Sequence, residues 1–360
     1  MRKALTVIAV ATIVAAVIPA TSAQDNFDCG QEITESVKLS SSLSNCDEDG
    51  LIVGAGGITI DLGGNTIDGG GDDGAGILNE EGHKDVVIRN GVISGFDVGV
   101  LVGSSKTTAN TIEDLEITDN GVAISIDGSS GNEIVDNEVS GNSDGIEITG
   151  DENLLEKNEI FDESPAISIE GDENEVTKNE IDYATAKEVG SAIVVEGDEN
   201  FVDDNEILAG ETGIEVGGDE NLVEGNELEG GAGDGIFVEG DSNDVLDNEI
   251  EGYDHVGILL DDGAGNLIGS NEVEENGDEG ILVEADETRI EGNKADDNGS
   301  HGIDVDADDV RIIDNEADDN GFDGPKGFGI LATGEGVEGS DNDADGNANP
   351  KECDPAALCE

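Results

Sequence analysis

The sequence predicts an all-β fold, a single-domain right-handed parallel β-helix (solenoid) of about thirteen coils. A Gly or Ala followed by Ile or Val recurs about every 22 residues along the chain. Each such step opens a short stretch of alternating residues, as in Ile236-Phe237-Val238-Glu239, and a period of two is that of a strand and not of a helix. Strands this short cannot bury an apolar face alone, so we expect them to stack coil upon coil.

Two series of asparagines mark further fixed positions of the repeat. Asn tolerates a positive φ at a tight corner, and its amide can bond the coils above and below. We therefore expect each series to form a ladder at a tight corner of the coil. The first series is Asn110, Asn132, Asn153, Asn174, Asn200, Asn221, Asn243 and Asn266. The second is Asn65, Asn90, Asn137, Asn158, Asn179, Asn205, Asn226, Asn248, Asn271, Asn293, Asn315 and Asn342, with Leu115 in the gap.

The N-terminus has the pattern of a secretory signal peptide over residues 1–23. Arg2 and Lys3 precede an apolar run, and a small-residue cleavage site ends at Ala23. A retained membrane anchor is the alternative, because the apolar run nearly reaches spanning length. The favoured prediction is a secreted protein, extracellular or at the cell surface, with no membrane segment after cleavage.

Four cysteines predict one disulfide bond near each end, because an exported protein with an even number of cysteines usually oxidises them. Metal ligation by these cysteines is disfavoured, since neither pair has CxxC spacing or a neighbouring histidine. The predicted organisation has an N-terminal cap with Cys29 and Cys46 (24–56), the β-helix (57–348), and a C-terminal cap with Cys353 and Cys359 (349–360).

The chain is strongly acidic, with a formal charge of −75, and removal of Arg2 and Lys3 with the signal peptide would make it −77. Such a charge repels nucleic acid and anionic membranes, so neither is expected as a partner. It also weakens a compact state at low salt. A halophilic extracellular setting is therefore the hypothesis. A disordered acidic chain is excluded by the strict apolar spacing.

Several segments resemble the pectin-lyase-like parallel β-helix repeats of the carbohydrate-binding and sugar-hydrolase class, including the NosD-type periplasmic proteins. The resemblance is carried by coils such as 144–160 (DGIEITGDENLLEKNEI) and by the N-terminal segments 29–46 and 57–69. It covers roughly residues 29–348 and, with the charge, implies an exported haloarchaeal member. The family includes lyases, hydrolases, epimerases and proteins with no known chemistry, so the resemblance implies the fold more strongly than an activity.

One corner of the coil varies in length, because the insertions fall between the second asparagine series and the next strand. Solenoids usually vary on their binding face, and this corner also carries aromatic, histidine and lysine residues. The alternative is that the rings only seal loose loops against the barrel. The predicted ligand-binding residues are Tyr183, Tyr253, His255, Phe322, Lys326 and Phe328, and the corner further contains Phe96, Phe161, Lys187 and His301.

Two outward rows are expected beside this corner. The first is an apolar stripe of Phe237, Leu259, Leu282 and Leu331, broken by Asp304, which suggests a covering loop or a partner. The second is a carboxylate row of Glu239, Asp261, Glu284 and Asp306 on four successive coils. Such a row is either solvated and salt-screened or provides an acid and a base. The candidate catalytic residues are Asp254, Asp261, His255 and His301.

A calcium-loop string occurs near the C-terminus. Asp341, Asp343, Asp345 and, eleven residues after Asp341, Glu352 match the D-x-D-x-D-G-x5-E pattern. No helical pattern flanks the string, and Pro350 interrupts it. Calcium is therefore an optional ligand in the prediction, and no cofactor is required.

The function that the sequence favours is non-catalytic binding of an extracellular polysaccharide or surface glycan. A carbohydrate-active enzyme (lyase, hydrolase or epimerase) and a purely structural surface protein are the alternatives. Lyases of this fold rely on basic residues, yet the chain after residue 23 contains only Arg89, Arg289 and Arg311 as arginines. Copper handling, which the NosD-type resemblance implies, needs Met, Cys or His clusters, and Met1 is the single methionine.

Overall fold

The computed structural model describes residues 27–71, 74–103, 108–183, 190–322 and 327–359. The predicted signal peptide and two predicted corner lysines, Lys187 and Lys326, lie outside the described residues. Within the described part, no helix is both long and apolar enough to cross a membrane.

One face of the molecule is a parallel sheet, here called the first sheet, with fifteen strands in the described residues. Each predicted Ile or Val step lies in one of these strands, and each strand pairs in register with the next, as Ile236 does with Ile258. Three of the strands lie in the segments predicted as caps, so the repeat extends through both. The strands are Gln31–Ile33, Leu51–Val53, Ala75–Asn79, Val98–Gly103, Val122–Asp127, Asp144–Thr149, Ile167–Glu170, Ile193–Glu196, Ile214–Gly217, Ile236–Glu239, Ile258–Asp262, Ile281–Val283, Ile303–Val305, Ile330–Ala332 and Cys353–Asp354.

The rest of each coil forms the second sheet, in which most coils contribute two short strands to two parallel ladders. Val87–Ser94 and Thr111–Thr118 run through both ladders as single strands. The strands are Val37–Lys38, Leu43–Ser44, Thr59–Asp61, Thr66–Asp68, Val87–Ser94, Thr111–Thr118, Glu133–Val135, Glu138–Ser140, Leu154–Glu156, Glu159–Phe161, Glu175–Thr177, Glu180–Asp182, Phe201–Asp203, Glu206–Leu208, Leu222–Glu224, Glu227–Gly231, Asp244–Leu246, Glu249–Tyr253, Leu267–Gly269, Glu272–Glu274, Arg289–Glu291, Lys294–Asp296, Arg311–Ile313 and Glu338–Ser340.

The ends are closed by covalent and helical elements. A 3-10 helix, Ala356–Cys359, lies against the last second-sheet strand. The disulfide bonds Cys29–Cys46 and Cys353–Cys359 are both present, which confirms the predicted pairing.

The core is a set of aliphatic ladders that run along the axis. In the strand Ile236–Glu239, Ile236 and Val238 are fully buried, whereas Phe237 and Glu239 point outward. Full burial of one such aliphatic side chain contributes about 1.5 to 3 kcal/mol. Each coil therefore gains most of its stability from the coils on either side of it.

Buried asparagine ladders connect the coils at their corners, as predicted. Asn226 is typical: its Oδ1 accepts hydrogen bonds from the backbone N and Nδ2 of Asn205 at 3.0 and 2.9 Å. Its own Nδ2 donates to Asn248 Oδ1 at 2.9 Å and to the Val202 carbonyl at 3.0 Å. The amides thus satisfy corner backbone groups that no strand pairing reaches.

The ladder asparagines do not themselves use the positive φ that asparagine tolerates. The positive φ belongs to the residue before each ladder asparagine, as at Asp136 (53°), Lys157 (56°) and Asp247 (54°). The residue with positive φ turns the chain, so that the side chain of the following asparagine points inward. There its amide forms hydrogen bonds with the neighbouring coils. Asn90 has a positive φ of 61° because it occupies that preceding position, and Gly91 pairs with Leu115 at the ladder position.

A third asparagine ladder lies at the variable corner and was missed from the sequence. Asn142 Oδ1 accepts from the backbone N and Nδ2 of Asn120 at 3.0 and 2.9 Å. A second run comprises Asn276, Asn298, Asn320 and Asn347. The signal was available, because these residues follow the second series by five positions, the spacing that separates the first two series.

Tyr183 and Tyr253 are core residues, which corrects their prediction as ligand-binding side chains. They are 4% and 1% exposed, so neither ring can stack on a sugar from outside. Tyr253 occupies the third-ladder position, where its backbone N donates to Asn276 Oδ1 at 3.0 Å. The Tyr253 side chain fills the space that two glycines leave free. A Cβ added to Gly231 would lie 2.3 Å from its ring, and one added to Gly213 would lie 2.7 Å from its hydroxyl oxygen.

Glu163 replaces asparagine in the same ladder and is fully buried. Its Oε1 accepts from the backbone N and Nδ2 of Asn142 at 2.8 and 3.2 Å, while Oε2 has no partner among the described residues. Burial, which outweighs the Asn142 hydrogen bonds, raises the pKa of Glu163 to about 7, with Asp162 and Asp144 adding to the rise.

The asparagine ladder predicts a large loss of stability in Asn226→Ala. The change removes several buried hydrogen bonds and leaves the Asn205 amide without its acceptor, which costs about 3 kcal/mol. Chemical unfolding followed by circular dichroism measures the difference. Glu229→Ala, an exposed change on the same coil, should alter stability by less than about 0.5 kcal/mol. Equal effects of the two variants would contradict the ladder's role.

Glu163 predicts a pH-dependent difference between the wild type and Glu163→Gln. The folded protein holds this proton more tightly than the unfolded chain, so the wild type loses stability as pH rises from about 4.5 to about 7. The two proteins should unfold alike near pH 4.5, and the Gln variant should be more stable by about 2 to 3 kcal/mol at pH 8. A constant difference across this range would show that Glu163 titrates normally.

Tyr253 predicts opposite outcomes for two substitutions. Tyr253→Ala should destabilise the protein by about 3 to 5 kcal/mol, because it empties the interior of two coils. Tyr253→Phe should be neutral or stabilising by up to about 1 kcal/mol, since the hydroxyl has no partner among the described residues. Thermal unfolding compares the two, and a harmless Ala variant would mean that the ring is not in the core.

Candidate binding site

The predicted apolar stripe is present on the outer face of the first sheet. Phe237 pairs with Leu259, Leu259 with Leu282, Leu282 with Asp304, and Asp304 with Leu331. All five side chains are partly exposed. The row therefore presents four apolar side chains and one carboxylate at a spacing of about 4.8 Å per coil.

A histidine and a second carboxylate reach Asp304 from the variable corner. Glu279, His301 and Phe328 occupy equivalent corner positions on successive coils, as the backbone bonds from Gly280 N to the His301 carbonyl and from Gly302 N to the Phe328 carbonyl show. One polar atom from each of Glu279, His301 and Asp304 lies within 4.8 Å of the others. The distance from His301 Nε2 to Asp304 Oδ2 is 4.0 Å.

The position of the proton on His301 follows from its neighbours. The backbone N–H of Phe328 donates to His301 Nδ1 at 2.9 Å, and the two rings lie 5.5 Å apart with a tilt of 38°. Burial lowers the pKa of His301, and the charge of Glu279 only partly opposes this. The ring is therefore neutral at neutral pH, with its proton on Nε2 and facing the carboxylates.

This tautomer limits the chemistry of the site. Imidazole and carboxylates are common metal ligands, but Nε2 holds a proton and Nδ1 already accepts a hydrogen bond. The same occupancy argues against the predicted role of His301 as a general base. The cluster instead offers one neutral N–H donor beside two carboxylate acceptors.

Asp304 is the most perturbed carboxylate of the site. Its side chain is 20% exposed, and burial raises its pKa to about 6, with further contributions from the charges of Glu279, Asp306 and Glu284. A hydrogen bond from the Val305 backbone acts in the opposite direction. Asp304 is thus mostly ionised at neutral pH and becomes protonated under mildly acidic conditions.

The predicted carboxylate row is only partly correct. Burial and the adjacent Asp261 and Asp306 raise the pKa of Glu284, so these three do stack. Glu239, however, pairs with Asp262, because a bulge shifts the register after Val238. Asp306 accepts a hydrogen bond from Thr333 Oγ1 at 2.8 Å.

The other predicted residues of the variable corner do not join the cluster of Glu279, His301 and Asp304 in the described residues. Asp254 and His255 are exposed, and their backbone N–H groups donate to Gly231 and Gly233 of the preceding coil. Phe322 is 59% exposed. Lys326 lies outside the described residues.

The calcium-loop string folds as an ordinary coil corner. Its Asn342 and Asn347 are ladder members, and Glu352 Oε2 ends the third ladder by accepting from Asn347 Nδ2 at 3.0 Å. Within the described chain, the carboxylates of Asp341, Asp343, Asp345 and Glu352 form no group of three oxygens within 4.8 Å. Ladder geometry thus accounts for Asn342, Asn347 and Glu352 of the string.

Two family models match the chain, and together they span residues 44–349. Residues 191–349 match the right handed beta helix region, and residues 44–207 match the periplasmic copper-binding protein (NosD). No curated protein matches the sequence significantly.

Solved structures similar to this chain include mannuronan and alginate epimerases and a tailspike protein. The A-module of the Azotobacter vinelandii mannuronan C-5 epimerase AlgE4 is 14% identical, with 88% of each chain covered and a TM-score of 0.42. A double mutant of the periplasmic alginate epimerase AlgG is 13% identical, with coverage of 86% of this chain and 77% of that chain and a TM-score of 0.46. The Dettilon tailspike protein is 16% identical, with coverage of 88% and 62% and a TM-score of 0.41.

The copper named in one family description does not fit the donors of this chain. All four cysteines are in disulfide bonds, and the sequence has one methionine and three histidines. In the described residues, His301 is the one histidine grouped with two carboxylates, and its tautomer leaves no free ring nitrogen. Copper ligation needs clusters of such soft or imidazole donors.

The in-register parallel ladders and the two family matches lead to the same assignment. This chain is a right-handed parallel β-helix of the pectin-lyase-like type.

Proposed function

We propose that this protein is a secreted, non-catalytic β-helix that binds an extracellular polysaccharide along the outer face of the first sheet. The observation that carries the proposal is the row Phe237, Leu259, Leu282, Asp304 and Leu331, with the His301 N–H beside it. Sugars have apolar ring faces and hydroxyl edges, so they are recognised by exposed apolar or aromatic surface together with a few fixed polar groups.

The polar groups suit hydroxyl recognition. Asp304 and Glu279 accept hydrogen bonds from hydroxyl groups, and His301 Nε2 donates one to a hydroxyl oxygen. Glu279 is held in place because Ser300 Oγ donates to its Oε1 at 2.7 Å. The Phe328 ring against His301 fixes the imidazole plane. A site with its groups fixed before binding loses little entropy when a ligand arrives.

The solenoid geometry favours a polymer over a single sugar. Equivalent outward positions repeat along the axis about every 4.8 Å, so an extended chain parallel to the axis meets a new side chain at each coil. Several weak contacts along one polymer add up to useful retention.

The exported location is part of the proposal. Two disulfide bonds are typical of proteins that fold outside the reducing cytoplasm. The charge of −75 suits a salty medium, where a Debye length of about 3 Å at 1 M salt screens the stacked carboxylates.

An enzyme with an acidic pair is the second candidate, favoured by the contact between Asp261 and Glu284. Two adjacent carboxyl groups can act as an acid and a base in glycoside hydrolysis. Against this candidate stands the exposure of both carboxyl groups, because solvent screens the interaction of an exposed pair.

Asp304→Asn tests the binding function. In 1 M salt at pH 7, the variant should be retained on an immobilised polysaccharide panel about tenfold more weakly, because it loses a charged hydrogen-bond acceptor. The wild type should weaken similarly as pH falls through about 6, when Asp304 is protonated. The retention of the Asn variant should not change over that range.

The matched control is Glu227→Gln, which removes one exposed charge from the second sheet and should leave retention unchanged. Equal retention of all three proteins would favour a structural surface protein. Release of soluble sugar that disappears in Asp304→Asn or Asp261→Asn would establish the enzyme instead.

A further inference from the structure

We infer that the cluster of Glu279, His301 and Asp304 is a subsite for a protonated amino sugar, so that the polymer bound on the first sheet is an amino polysaccharide. This inference rests on the proposed function and names the substrate class of the same face.

The charges of the molecule are sorted between its two sheets. None of the fifteen described strands of the first sheet contains Lys or Arg. The strand cations lie on the second sheet and are paired there, as Lys294 is with Glu272 and Glu274, and Arg89 with Glu113 at 3.3 Å. On the described strands of the first sheet a uronate polymer would therefore meet side chains of like charge, whereas a cationic polymer is complementary to them.

The spacing of the cluster fits one ammonium group. A charged N–H···O hydrogen bond has a length of about 2.7 to 2.9 Å, so one nitrogen can bridge two oxygens that lie up to about 5.5 Å apart. The carboxylate oxygens of Glu279 and Asp304 are within 4.8 Å of each other. An ammonium between them can bond both, and its one positive charge offsets part of the negative charge that a hydroxyl would leave uncompensated.

The third member of the cluster specifies the neighbouring atom. His301 Nε2 lies 4.0 Å from Asp304 Oδ2 and carries a proton, because Nδ1 accepts from the Phe328 backbone N–H. It can donate to an oxygen adjacent to the ammonium. An amine beside a hydroxyl is the arrangement of an amino sugar with a free amino group, and N-acetylation would remove the charge.

The surroundings of Asp304 strengthen this ion pair. Leu282 and Leu331 flank Asp304 on the coils before and after it, and Asp304 is only 20% exposed. Apolar flanks lower the local dielectric and leave less water to compete, so a partly buried pair is stronger than an exposed one. The same leucines can pack against the apolar faces of the sugars on either side.

The experiment compares matched oligosaccharides that differ only in the N-acetyl group. Binding of a glucosamine oligomer and of the N-acetylglucosamine oligomer of equal length is measured by calorimetry in 1 M salt, where long-range attraction is screened. The wild type should prefer the free amine by about tenfold, since a hydrogen bond to a charged partner contributes about one such factor. Asp304→Asn and Glu279→Gln should each lose that preference, and Glu227→Gln should keep it.

The outcomes separate this inference from the proposed function. Equal binding of the two oligomers, or tighter binding of a uronate oligomer, would overturn the amino-sugar subsite and leave polysaccharide binding intact. No binding of any sugar by the wild type would overturn both. A preference that survives Asp304→Asn would mean general attraction to an acidic protein. Two further outcomes would also contradict an amino-sugar site. One is that a lysine oligomer binds as tightly as the glucosamine oligomer and depends on Asp304 in the same way. The other is that zinc displaces the bound amine.

Discussion

The structure depends on the hydrogen bonding of the coil corners. A strand of three or four residues forms its backbone hydrogen bonds with the strands of the neighbouring coils. At a corner this strand pairing is interrupted, so buried backbone N–H and C=O groups need other partners. The asparagine amides provide them by donating to one neighbour and accepting from the other. The residue before each ladder position takes a left-handed conformation, which costs about 1 to 2 kcal/mol for a non-glycine residue. The amide bonds offset that cost at each step.

This constraint explains which residues interrupt the third ladder. Glu163 and Glu352 are acceptors, so each can end a run of donating asparagines. Tyr253 instead fills the interior beside two glycines. A position on the ladder can therefore continue the amide chain, end it with an acceptor, carry a ring, or, as at Gly231, leave space for the ring of the next coil.

The same packing sends nearly all charge to the outside. Because identical positions stack, many outward acidic residues face one another across one coil, as Glu227 and Glu249 do, and the molecule accumulates carboxylate rows. On the second sheet the few cations pair with these rows. The first sheet lacks such strand cations, and there an apolar row takes their place, interrupted once by Asp304. That single carboxylate, with a corner histidine and Glu279 beside it, forms the chemically distinct part of the face.

The sequence by itself determined the repeat, the strands and the inward or outward direction of each strand residue. Stacking makes a residue's position in the period sufficient to define its neighbours, so the row from Phe237 to Leu331 and the second asparagine ladder from Asn137 to Asn342 were predictable. Both disulfide bonds were too. The variable corner was not predictable, because its coils differ in length. The spacing along the sequence therefore no longer indicates whether a side chain points inward or outward there. Whether Tyr253 points inward depends on glycines one coil away. The bulge at Glu239 shifts Asp261 out of register with Glu239. The position of the proton on His301 is set by a backbone N–H that lies 27 residues further along the chain. These features follow from contacts between coils at positions where the period is broken, and only the tertiary structure decided them.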